Sequence, residues 1–140
     1  AALLDGQEKF DEAEALYHRA LTIFERVCGP KHYELAVNFN NLAAIADRQG
    51  RHAEADRLYR RALAIKEKLL GRNHPDVAMT LNNLAMCDQA QGKFVEADRR
   101  LRRALRIFTR ALGPKHPHVA VCRANAAGVR RQMARRRERG

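Results

Sequence analysis

The sequence predicts an all-α protein built as a solenoid of antiparallel helix-turn-helix repeats, and three observations predict it. The chain repeats every 42 residues: Gly29, Gly71 and Gly113 keep that interval, as do His32, His74 and His116, and Asn41, Asn83 and Asn125. Ala20, Ala62 and Ala104, then Leu21, Leu63 and Leu105, then Ile23, Ile65 and Ile107 follow in the same register. Between these markers apolar residues recur at helical spacing, and Gly50 and Gly92 fall where a hairpin needs its turn. Such a unit buries its apolar face only against its neighbours, so the array presents an extended surface. That favours binding another protein over catalysis.

The elements follow in chain order within a single solenoid over residues 1–140. Ala1 to Gln7 align with Ala43 to Gln49, which makes residues 1–29 a partial repeat holding a second helix, helix B. The chain opens without Met, so we expect the repeats to continue upstream, as in a fragment or processed product. Residues 30–71 form a repeat: a first helix, helix A, from about Tyr33 to Gln49, a turn at Gly50, and helix B from Ala53 to Leu70. Ala55, Leu58, Tyr59, Ala62, Leu63 and Ile65 point inward on that helix B.

Residues 72–113 form the next repeat. Pro75 suits the first helical position, Asp76 complements the positive end of the dipole, and His74 falls at the N-cap. Val77, Leu81, Leu84, Ala85 and Asp88 share one face of this helix A, which ends at Gln91-Gly92. Helix B then carries Phe94, Ala97, Leu101, Ala104, Leu105, Phe108 and Leu112 as its apolar stripe and ends at Gly113-Pro114. The small alanines 97 and 104 allow close helix approach beside the larger Phe94 and Leu101. Residues 114–134 are a terminal helix A in which the pattern decays: Arg123 replaces Phe39 and Leu81, Ala126 replaces Leu42 and Leu84, and Ala134 replaces the turn glycine. Residues 135–140 are a basic tail.

The net charge of +11 is uneven. Residues 1–70 balance 11 Lys/Arg against 11 Asp/Glu, whereas residues 71–140 carry 16 against 5. The chain is thus a neutral solenoid with one basic end. No apolar run approaches the ~20 residues that span a bilayer, and no opening segment marks the chain for secretion. The three cysteines show no Cys-x-x-Cys spacing. Cys28 and Cys87 align with apolar residues and read as small buried hydrophobes in a reducing, cytoplasmic setting.

The turn glycine before Lys93-Phe94, the helix B pattern Ala55, Tyr59, Ala62, Leu63 and Ala97, Leu101, Ala104, Leu105, and the Asn-Asn-Leu-Ala of helix A together resemble tetratricopeptide repeats. The longer unit, with LGRNHPDVA (70 to 78), LNNLA (81 to 85) and QGKFVEA (91 to 97), is similar to the 42-residue kinesin-light-chain-like repeat class. The resemblance covers residues 1 to about 133. It implies a right-handed α-solenoid whose A helices line a concave groove holding an extended peptide.

On helix A the stripe beside the core face is Val37, Asn41, Ala44 and Arg48, then Met79, Asn83, Met86 and Ala90, then Val121, Asn125, Gly128 and Gln132. An amide at the same height in each repeat offers donor and acceptor to a peptide backbone. In peptide-clamping members of the resembled family the residue before the conserved Leu plays this part, which selects Asn41 and Asn83, with Asn125 by column and Asn40 and Asn82 flanking. The alternative is a structural ladder between neighbouring A helices. Arg99, Arg103, Arg106 and Arg110 fall on the outer face of the last helix B, and Arg130, Arg131 and Arg135 on the terminal helix. They read either as a solvated face or as a docking patch for an acidic protein, an anionic membrane or nucleic acid; nucleic acid is the weaker version because no exposed aromatic accompanies them, and membrane is disfavoured beside a protein partner. The repeated histidines read as loop and cap residues, and His18, His52 and His118 as isolated and exposed. Most of the helical carboxylates read as sitting among Arg and Lys on outer faces. No metal, cofactor or catalytic residue is expected, and stacking of the solenoid ends is the route open to self-association.

Overall fold

Glycine and proline punctuation decides where the helices stop and start. The computed structural model describes Arg19 and residues 33–139; Arg19 apart, the expected partial repeat at 1–29, with Cys28 and His18, lies outside the described residues, as do the column members Ala20, Leu21, Ile23, Gly29 and His32. Five helices follow: α1 (Tyr33–Arg48), α2 (His52–Leu70), α3 (Pro75–Ala90), α4 (Phe94–Leu112) and α5 (Pro117–Arg139). Helices α1, α3 and α5 occupy the A positions of the repeat, and α2 and α4 the B positions. No strand occurs among the described residues.

Within each hairpin the turn glycine takes a left-handed conformation, at φ +78° for Gly50 and +76° for Gly92, which other residues adopt only with strain. This lets the next amide reach back: Arg51 N–H bonds to the Ala46 carbonyl at 2.9 Å and Lys93 N–H to the Asp88 carbonyl at 2.8 Å. At the other end of the unit His74 caps α3, its Nδ1 accepting from the Asp76 N–H at 3.1 Å, with Pro75 at the first helical position. His116 repeats the arrangement on α5, accepting from His118 N–H at 3.1 Å. The ends of α1 to α4 match the sequence expectation to within a residue, whereas α5 starts and stops later than the expected 114–134. With Ala134 where a turn glycine would stand, nothing stops α5, and the expected basic tail is helical through Arg139.

Consecutive helices pack in succession, and α3 also touches α5. One core cluster joins Leu35, Phe39 and Leu42 of α1 to Leu58, Tyr59 and Ala62 of α2, and takes in Leu84 and Cys87 from α3. The second joins Val77 and Leu81 of α3 to Leu101 and Phe108 of α4 and to Val119, Cys122 and Val129 of α5. Helix α3 therefore buries residues on two sides, because hairpins lie before and after it. The alanines expected at close approaches, Ala55, Ala62, Ala97 and Ala104, are all fully buried. Cys122 is buried too, although its column holds Asn38 and Thr80; its thiol lies 3.4 Å from the Leu101 carbonyl oxygen, and burial pushes its pKa up to about 11.

Candidate functional site

The A helices present the predicted stripe at the border of the core. Asn41, Arg48 and Met79 are exposed, and Asn83, Met86 and Asn125 are half-buried, with Met86 packed against the second core cluster. Neighbouring A helices meet through side chains 43 residues apart. Tyr33 Oη donates to Asp76 Oδ2 at 2.9 Å, Asn125 Nδ2 to Asn82 Oδ1 at 3.0 Å, and Gln89 Nε2 to Gln132 Oε1. By that register Asn83 stands opposite Asn40, and here no bond forms. Asn40 Oδ1 is buried without a partner, and no hydrogen bond to the side chain of Asn41 or Asn83 occurs among the described residues. The asparagine column thus divides: one rung between α3 and α5 is closed, and the equivalent rung between α1 and α3 is open.

Below this surface lie carboxylates, of which Asp56 and Asp98 depart from the outer-face expectation while Asp88 keeps the face that it shares with Val77, Leu81, Leu84 and Ala85. Asp56, Asp88 and Asp98 are buried and act between helices. Asp56 takes Arg60 Nε at 2.5 Å and Gln91 Nε2 at 3.3 Å, with Lys93 Nζ at 3.8 Å. Burial alone would raise its pKa, yet the bonds from Arg60 and Gln91 outweigh that and hold it below the usual carboxylate value. Asp88 is fully buried and is paired with Arg100; burial dominates and raises its pKa. Asp98 takes Arg102 at 3.0 Å and Arg130 at 3.4 Å. Asp56 and Asp98, and Arg60 and Arg102, are each 42 residues apart, a signal that could have identified these inter-repeat clasps.

The histidines divide as well. His74 and His116 are caps, as expected, but His52 is not isolated: its Nδ1 lies 2.7 Å from Asp47 Oδ1. His118 is exposed, yet its ring lies tilted against those of Phe108 and His116, at centroid distances of 5.4 and 4.7 Å. Among the described residues no group of three or more His, Cys, Asp or Glu side chains could hold a metal ion, and no helix is long and apolar enough to cross a membrane.

The predicted basic patch resolves into separate surfaces. Arg99, Arg106, Arg110, Arg131 and Arg135 are exposed, and Arg130 pairs with Asp98. Arg103 does not face solvent as expected. It turns onto α2 and the loop after it, with Nη2 3.1 Å from the Arg72 carbonyl oxygen and 3.4 Å from a Glu67 carboxylate oxygen.

The tetratricopeptide repeat family profile matches residues 1–68, 40–110 and 76–138. No curated protein matches the chain. Among solved structures it is similar to BtubC (BKLC) from P. vanneervenii, with 25% identity and a TM-score of 0.82 over 95% of this chain and 53% of that one. It is also similar to a kinesin-light-chain protein of nearly identical TPR-like repeats from Podosopora anserina, with 24% identity and a TM-score of 0.77 over 96% of this chain and 64% of that one. The chain therefore spans between about half and two thirds of the length of these structures, and the likeness to the second is one of fold.

Proposed function

We propose, from the premise that this chain belongs to the tetratricopeptide repeat family, that it is a non-catalytic scaffold whose A-helix stripe grips an extended segment of a partner protein. Repeats of this family generally mediate protein–protein interaction, and those of this chain are of the kinesin-light-chain-like class. The observation that carries the reading is the open rung. Asn83 and the buried Asn40 Oδ1 leave a donor and an acceptor unmatched beside exposed Asn41, while the same columns one repeat on satisfy each other. A peptide backbone supplies the complementary groups at regular intervals and needs no particular sequence to do so. Asn41 and Asn83 are then the clamp residues, Arg48 and Met79 its flanks, and Asn125 and Asn82 its support.

The exposed Arg131 and Arg135 suit an acidic partner, whose approach they would steer. The burial of Cys87 and Cys122 as free thiols accords with the cytoplasmic setting included in this proposal.

A peptide-display selection on the full chain, followed by calorimetric titration of an enriched peptide, tests the clamp. Asn41→Ala with Asn83→Ala should weaken the peptide by about 5- to 150-fold, from the ~0.5–1.5 kcal/mol per lost hydrogen bond, with the melting temperature unchanged. Equal affinity for the double variant and the parent overturns the clamp; a lowered melting temperature with proportionate loss returns these amides to a structural role.

A further inference from the structure

The outer side of the array holds a cavity that the groove does not use. It has a volume of about 470 Å³ and lies between α4 and the loop joining α2 to α3, where Arg72, Asn73, Arg103, Arg106, Ile107 and Arg110 are among its lining residues. Cavities of ~300–1,000 Å³ are of ligand size. From the charges on its walls we infer that it is a binding site for a phosphoryl dianion, free or carried on a peptide side chain.

Four arginines, Arg72, Arg103, Arg106 and Arg110, line it. Arg103, Arg106 and Arg110 sit at i, i+3 and i+7 on α4, an arrangement in which like charges repel. Glu67 is the carboxylate that reaches them, 3.4 Å from Arg103 and 3.9 Å from Arg72. Its single charge leaves Arg106 and Arg110 without an ion-pair partner among the described residues. Arg110 lies in the last turn of α4, where the helix dipole favours a cation. Arg103 and Arg106 lie earlier, outside that effect.

Arg103 is also already oriented. Its side chain is 21% exposed and is held by the Arg72 carbonyl at 3.1 Å, so the entropy of ordering it has been spent in folding. A phosphoryl group has three oxygens to share among neighbouring guanidinium forks, whereas a carboxylate has two. No aromatic ring lines the cavity, so nothing there would stack on a nucleobase. The site therefore reads the phosphoryl group itself. It stands independently of the peptide clamp, since none of its residues belongs to the A-helix stripe.

The test titrates the full chain with pyrophosphate, with a phosphoserine peptide and with the same peptide carrying Glu, in metal-free buffer at low and physiological salt. Arg106→Gln with Arg110→Gln should weaken pyrophosphate or phosphoserine binding at least ~10-fold, as expected for the loss of charge-assisted bonds. Arg57→Gln with Arg137→Gln removes equal charge from exposed positions outside the cavity and should leave binding within ~2-fold after the general salt effect. Melting curves confirm that both variants fold. Binding of both phosphoryl probes, or of either alone, supports the site and identifies the source. Absence of both overturns it, as does equal weakening by the two variants or equal affinity for the Glu peptide. Asn41→Ala with Asn83→Ala should leave pyrophosphate binding intact, so failure of the clamp and failure of this site are read separately.

Discussion

The two places where one hairpin meets the next use the same columns of the repeat and fill them with different chemistry. Where α2 meets α3, Lys66 is buried and donates to Thr80 Oγ1 at 3.1 Å, and Thr80 in turn donates to the Asp76 carbonyl at 3.3 Å. Where α4 meets α5, 42 residues on, Phe108 and Cys122 take those positions within an apolar cluster. Burial pushes the Lys66 ammonium below its ordinary pKa, against the pull of the Asp76 charge. The amide rung follows the same division, open at the polar junction and closed by Asn125 and Asn82 at the apolar one. The helical scaffold fixes which positions meet, and the chemistry at each meeting is free to vary. The polar junction is the one with hydrogen-bonding groups left over for a ligand.

The largest test of this contrast is in the two core positions. Phe108→Ala should cost ~3–5 kcal/mol by emptying a packed aromatic site, while Lys66→Met should raise stability by ~1 kcal/mol, because it removes a buried charge and leaves Thr80 bonded to the Asp76 carbonyl. Urea unfolding of the three proteins measures both. A Lys66→Met variant less stable than the parent would mean that the ammonium and Thr80 hold the first junction together rather than merely tolerate burial.

A smaller effect separates the rungs. Asn125→Ala should lose ~0.5–1.5 kcal/mol, the net worth of a hydrogen bond, and Asn83→Ala should stay within ~0.5 kcal/mol of the parent, as surface substitutions do. Equal losses in thermal melts would show that Asn83 closes a rung in solution and would remove the distinction between the junctions.

The smallest effect is a pair of opposite pH slopes. Asp56 has a folded pKa below its ordinary 3.8, so its contribution is present above 3.8 and is lost as pH falls through the folded value. Asp88 has a folded pKa above 3.8, so the stability linked to its protonated form is present below 3.8 and is lost as pH rises through the folded value. Denaturant melts between pH ~2.5 and ~6 should therefore show Asp56→Asn flattening the acid side of the profile and Asp88→Asn flattening the side above 3.8. Parallel profiles would sink the assignment of Asp56 as the favourably bonded clasp and Asp88 as the burial-dominated one.

The sequence by itself determined the helices, the ends of α1 to α4 and the columns that pack. A glycine turn, a proline at a first helical position and a histidine cap act within a few residues of one another, so Gly50, Gly92, Pro75 and His74 could be read from local order alone. The alanine columns were legible because close helix approach recurs at every repeat. Only the tertiary structure decided which polar side chains find one another. Asn125 reaches Asn82 while Asn83 misses Asn40, and Arg103 turns inward while Arg106 does not. The outer-face reading of Asp56 and Asp98 failed because their partners Gln91 and Arg130 lie on another helix or its turn. The physical reason is one of range. Helix formation and capping depend on neighbours in sequence, but a side-chain hydrogen bond exists or fails over a fraction of an ångström, set by how helices some 30 to 40 residues apart come to rest against each other.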